Sequence, residues 1–119
     1  MATALVSKVY KLRFRSVNSD IFNAIKAGRK PVETRAATVR YKNIKAGDTL
    51  IFRCGKNTFK KQAKKVRIFK TIDTMLKKYK VKEINPTLTT AHELKTRYYS
   101  FPKYREKIRK HGLIAIELK

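Results

Sequence analysis

The sequence predicts a small α+β domain or mixed barrel of five or six strands and three or four short helices. Three observations predict it. Strand-like runs, alternating with period two or rich in β-branched residues, recur at 8–15, 32–36, 49–53 and 58–70, and an apolar run closes the chain at 113–118. Apolar residues in helical spacing, flanked by cap or stop signals, stand between them. The two kinds of segment interleave without the strict alternation that builds a doubly wound parallel sheet. At 119 residues the chain reads most simply as one domain, 1–119. A domain of this size buries roughly two-thirds of the surface its unfolded chain exposes.

Lys8 to Arg15 alternates cations with Val, Tyr, Leu and Phe and reads as the first strand. Asn18, Ser19 and Asp20 offer N-caps for a helix with Ile21, Phe22 and Ile25 on one face, and Gly28 stands where a glycine stops it. A strand over Val32–Ala36 follows. Beyond Tyr41–Ile44, a Gly47-Asp48 turn leads to a strand over Thr49–Arg53. Gly55-Lys56-Asn57 then turns the chain into a long basic strand, Thr58 to Lys70. Thr71 caps a helix carrying Ile72, Met75, Leu76 and Tyr79. Asn85-Pro86 breaks the chain, and Thr90-x-x-Glu93 is a capping box for a helix with Leu94 and Tyr98. Pro102 opens a helical turn through Lys110, and Gly112 leads into the closing strand.

Charge narrows the partners. Thirty-one Lys and Arg oppose eight Asp and Glu, a formal +23. Such a surface draws polyanions through counterion release, and nucleic acid is the expected one. No run is long and apolar enough for a membrane span, and Met1–Ser7 lacks the pattern of a signal peptide. Cys54 is alone, which excludes an intrachain disulfide and fits the reducing cytoplasm.

Gly28-Arg29-Lys30-Pro31-Val32-Glu33-Thr34-Arg35 concentrates the chemistry. On a strand, Glu33 and Arg35 share a face while Thr34 points to the other, because side chains alternate. Lys30 stands at the strand's mouth. A carboxylate between two cations reads either as a structural ion pair or as a site for anion recognition or polar chemistry. In a site, Lys30, depressed by desolvation and by Arg29 and Arg35, serves as a base or as a fixed charge for a phosphate or carbonyl. Glu33 then accepts from an exocyclic amine or activates a water.

Tyr98, Tyr99, Phe101 and Tyr104 lie among Arg97, Lys103 and Arg105, the mixture of stacking faces and cations that grips single-stranded RNA. At least two of the four rings are expected in the core, which leaves Tyr99 and Tyr104 for bases. Lys60, Lys61, Lys64 and Lys65 on the basic strand are expected to track a phosphate backbone. Glu93 divides between helix cap and site. His92, His111 and Cys54 make no metal-ligand set. Neither a Gly-x-x-x-x-Gly-Lys loop nor a Gly-x-Ser-x-Gly elbow is present, so no cofactor is expected.

With Gly-x-Lys-x-x-Glu-x-Arg complete at Gly28, Lys30, Glu33 and Arg35, the chain resembles the ASCH domain family of the PUA-like superfamily. The lead-in at 24–28, the segment 45–52, the helix at 72–79, Ile84-Asn-Pro86 and the close at 112–118 support it, so the likeness runs from about Val6 onward. The resemblance implies a pseudo-barrel of five or six mostly antiparallel strands with helices at its rim. It also implies a cleft where the signature residues converge, and RNA or a nucleoside as partner. Members that resemble ribonucleases, and a small bacterial amidohydrolase acting on N4-acetylcytidine, imply a hydrolase as the alternative, with Lys30, Glu33 and Glu93 catalytic. The amidohydrolase branch carries a Thr nucleophile where this chain has Glu33, so the inherited chemistry is interrupted.

Overall fold

The computed structural model describes residues 7–119; the N-terminal stretch read above for a leader lies, but for Ser7, outside them. Strand β1 (Val9–Phe14) leads through a 3-10 turn (Ser16–Asn18) into helix α1 (Ser19–Ala27) and strand β2 (Val32–Ala36). Strands β3 (Thr49–Cys54) and β4 (Asn57–Phe69) follow as a hairpin. Four short helices come next, α2 (Ile72–Leu76), α3 (Val81–Ile84), α4 (Ala91–Tyr99) and α5 (Tyr104–His111), and strand β5 (Leu113–Leu118) closes the chain.

The five strands form one curled sheet in the order β1-β3-β4-β5-β2. The β1–β3 pair is parallel and the other three are antiparallel. β4 bends the sheet: it pairs with β3 up to Gln62 and with β5 from Ala63, with a register shift between Ala63 and Lys65. A bulge of this kind adds twist and turns the strand. The result is a half-barrel whose free edges are β1 and β2.

Two apolar clusters flank the sheet. Leu12, Phe22, Ile25, Leu50, Phe52 and Ile116 fill the concave side beneath α1. Val32, Met75, Leu94, Tyr98, Ile108 and Ala115 pack the other face of β5 and β2 against α2 to α5. β5 therefore touches core on both sides, and Leu113 to Ile116 have no exposed surface. Gly112 is required where it stands: φ is 76° and a Cβ there would collide with the Phe69 carbonyl oxygen.

The helix count differs from the three or four expected. The addition is α3, whose four residues are too few to display a 3.6-residue period. Asn18 also fails as a side-chain cap; Asp20 Oδ1 instead accepts the Ile21 N–H at 2.9 Å. Among the described residues no helix is long and apolar enough to cross a membrane.

Candidate functional site

Gly28 adopts the left-handed conformation, φ 84°, and ends α1 with its N–H on the Ile25 carbonyl. That turn carries Lys30 beneath β2. Lys30 Nζ donates to the carbonyls of Val32 at 2.6 Å and Ile84 at 2.5 Å, and lies 3.2 Å from Glu33 Oε1. An ammonium has three N–H groups, and all three meet protein oxygens. The expectation that Lys30 reaches out to a ligand carbonyl or phosphate is corrected accordingly.

Glu33 is equally enclosed. Its Oε1 also accepts the Thr34 N–H at 3.1 Å, and Oε2 accepts Arg35 Nε at 3.0 Å. Burial by itself raises this carboxyl, but Lys30 and Arg35 outweigh it and hold the group below the usual carboxylate range. Burial is also the largest influence on Lys30 and pushes its ammonium below the ordinary value, against the pull of Glu33. The far side of the Arg35 guanidinium meets the Arg13 carbonyl at 3.3 Å and covers the Phe14 ring, 4.9 Å from its centroid.

Around this triad opens a cavity of about 390 Å³ at the seam between the two sheet edges. That lies within the ~300–1,000 Å³ of small-molecule sites. β2 contributes Glu33, Thr34 and Arg35; the end of β1 contributes Arg13, Phe14 and Arg15. Asn85 follows α3 into the wall, α4 presents Arg97 and Tyr98, and Phe101, Tyr104 and Lys107 complete it. Among the described residues, six cations and one carboxylate thus line one space. Arg13, Arg15, Arg97 and Lys107 have no carboxylate partner among the described residues.

Thr34 faces away from Glu33, as alternation requires, yet it too lines the cavity, because β2 is an edge strand and the space wraps around it. Its Oγ1 is hydrogen-bonded to the Tyr98 hydroxyl. Burial pushes that phenol upward. Tyr104 stacks parallel to Tyr98, 6.2 Å between centroids, and its hydroxyl oxygen accepts the Ala36 N–H at 2.9 Å, so its own proton is free to donate. Asn85 Oδ1 accepts from Thr87 N and Oγ1 at 3.0 and 2.6 Å, which leaves its amide NH2 for the cavity.

Several expected residues lie elsewhere. Glu93 is exposed and completes the cap of α4, accepting the Thr89 and Thr90 N–H groups at 3.0 and 2.9 Å; it does not line the cavity. Those backbone bonds are the main reason its carboxyl sits low. Tyr99 is 41 % exposed and lies beneath Arg105, outside the cavity, and Arg29 is exposed and does not line the cavity either. The four lysines of β4 do not share a face. Lys60 and Lys61 alternate across the sheet, and Lys64 and Lys65 stand at the bulge, toward Tyr79 and Glu117. Phe14, Asn85 and Lys107 were not singled out by the sequence. Asn85 read only as a chain breaker, and nothing local brings Lys107 to Lys30.

The family model for the ASCH domain matches residues 16–119. The chain belongs to the ASCH domain family. Two solved structures share the fold of this ASCH domain. The crystal structure of hypothetical protein PH0355 is 28 % identical with a TM-score of 0.81, covering 93 % of this chain and 97 % of that one. The solution structure of protein PF0455 from Pyrococcus furiosus is 26 % identical with a TM-score of 0.73, covering 93 % and 96 %. No curated protein matches the chain in sequence. The curled five-stranded sheet with helices packed on it is the PUA-like pseudo-barrel the signature implied.

Proposed function

We propose that this ASCH domain binds single-stranded RNA by admitting one nucleotide to the cavity between β1 and β2. The observation that carries the reading is the meeting of six cations with Phe14, Tyr98, Phe101 and Tyr104 around about 390 Å³. Aromatic faces stack bases without regard to sequence, and unpaired cations hold phosphate. Arg13, Arg15, Arg97 and Lys107 are the phosphate contacts in this reading, and Phe101 and Tyr104 are the stacking surfaces, while Phe14 lies beneath the Arg35 guanidinium. The Asn85 amide and the Tyr104 hydroxyl donate to the base, while Glu33 Oε2 has a lone pair left for an exocyclic amine.

The geometry favours holding over hydrolysis. Lys30 has no N–H or lone pair to offer a substrate while it donates three bonds. Glu93, a second expected catalytic group, is engaged at the α4 cap, and Glu33, the third, is held between Lys30 and Arg35.

Titration calorimetry of the protein with the four nucleoside 5′-monophosphates and their parent nucleosides tests this. A phosphate met by charged donors is worth about 1.5–3 kcal/mol, so at least one monophosphate should bind roughly ten- to a hundredfold more tightly than its nucleoside. Equal affinity for both, or no binding by any monophosphate, would overturn it.

A further inference from the structure

We infer that the outer face of β1, β3 and β4, exposed among the described residues, is the path along which a bound RNA strand continues beyond the cavity. The inference rests on the cavity reading only for the strand's starting point. Its own ground is the pairing register. In the β1–β3–β4 rows, Lys11 stands beside Ile51 and Lys60, and Arg13 beside Arg53 and Thr58. Alternation turns these side chains outward, because their neighbours Leu12, Phe52 and Phe59 pack inward. The next row, Val9, Thr49 and Gln62, adds no acid either.

Four cations therefore occupy this face with no carboxylate among them. None of the four forms an ion pair among the described residues. Arg13 and Arg53 are direct neighbours in register. Like charges directly opposite destabilise a sheet, so the pair is a standing repulsion that an anion relieves. Elsewhere the other side of the sheet is covered by α2 to α5; here no element among the described residues packs on it.

The face is also continuous with the cavity. A second cleft of about 260 Å³ is lined by Arg13, Phe14, Arg53 and Gly55, and Arg13 and Phe14 line both spaces. A phosphodiester leaving the cavity past Arg13 meets Arg53 next, then Lys11 and Lys60. Exposed Val9 and half-buried Ile51 give the bases an apolar surface.

The test is fluorescence anisotropy with a labelled mixed-sequence 12-nucleotide RNA over a range of salt, with calorimetry on the four monophosphates beside it. The variant is Lys11→Gln/Arg53→Gln/Lys60→Gln; the charge-matched control is Lys26→Gln/Lys77→Gln/Lys110→Gln, all exposed. Single-strand binding loses about 0.7 of log–log salt slope per phosphate contact, so the variant's slope should be shallower by up to about 2. Its monophosphate affinity should be unchanged, and the control should keep most of its slope. An unaltered slope in the variant, an equal change in the control, or no binding of the 12-mer would overturn the path. If the slope change appears while no monophosphate binds, the path stands and the cavity reading falls.

Discussion

Lys30 and Glu33 hold each other in place at 3.2 Å with only 3 % of each residue exposed. The pair ties three segments together, since Lys30 also donates to Val32 on β2 and to Ile84 at the end of α3. Lys30, Glu33 and Arg35 thus build part of the cavity wall.

Removing the ammonium should therefore unfold rather than merely inactivate. Lys30→Ala leaves a buried carboxylate and two carbonyls short of a donor, and breaking a buried pair costs about 3–5 kcal/mol. With several degrees per kcal/mol at this size, the melting temperature should drop by more than about 10 °C. Lys77→Ala, on an exposed position, should stay within about 0.5 kcal/mol of the parent. Thermal melts of the two variants check this.

Acid should act through Glu33. Its folded-state pKa lies below the unfolded value of about 4.3, so the stability it contributes is present above that pH and is lost as pH falls through the folded pKa. Stability from urea melts should be level near neutrality and fall as pH drops below about 4. Glu33→Gln should be less stable at pH 7 and show a shallower acid decline, whereas an identical decline would assign the acid sensitivity elsewhere.

Much of this was legible in the chain, and the remainder has physical reasons. Alternation in Val32–Ala36 put Glu33 and Arg35 on one face, and Thr90-x-x-Glu93 announced the α4 cap that the structure contains. The Ile84 carbonyl that receives Lys30 was not legible, because its partner lies 54 residues away and only tertiary packing joins them. Strand order was hidden for the same reason: β5 enters between β4 and β2, which are distant from it in sequence. The four β4 lysines looked like one patch because composition ignores the bulge that separates them.

The Thr34–Tyr98 hydroxyl pair should couple energetically. Tyr98→Phe leaves the Thr34 hydroxyl buried beside an apolar ring, at about 1–3 kcal/mol for an unmet polar group. Thr34→Val/Tyr98→Phe should be less destabilised than the sum of the single variants, with a coupling of about 1 kcal/mol from urea melts. Additive effects would show that the two hydroxyls act independently.

Glu93 should matter to helix α4 and not to ligand. Thr90→Ala removes the oxygen that accepts the Glu93 N–H and should cost about 1 kcal/mol. Glu93→Gln retains a side-chain carbonyl for the cap and should leave monophosphate and RNA affinity unchanged by calorimetry. A marked loss of affinity in Glu93→Gln would bring this residue back into the site.

Nucleotide affinity of Arg97→Gln/Lys107→Gln, measured by calorimetry with its melting temperature, tests the central claim most directly. Both residues line the cavity and have no carboxylate partner among the described residues, and Lys107 Nζ is only loosely placed over the Tyr104 ring at 6.0 Å, so their charges should contribute little to stability. Loss of two charged phosphate donors should weaken the best-binding monophosphate by at least about tenfold, at roughly 1.5 kcal/mol or more, with the melting temperature unmoved. Unchanged affinity in a normally folded variant would contradict the assignment of the cavity as the nucleotide site.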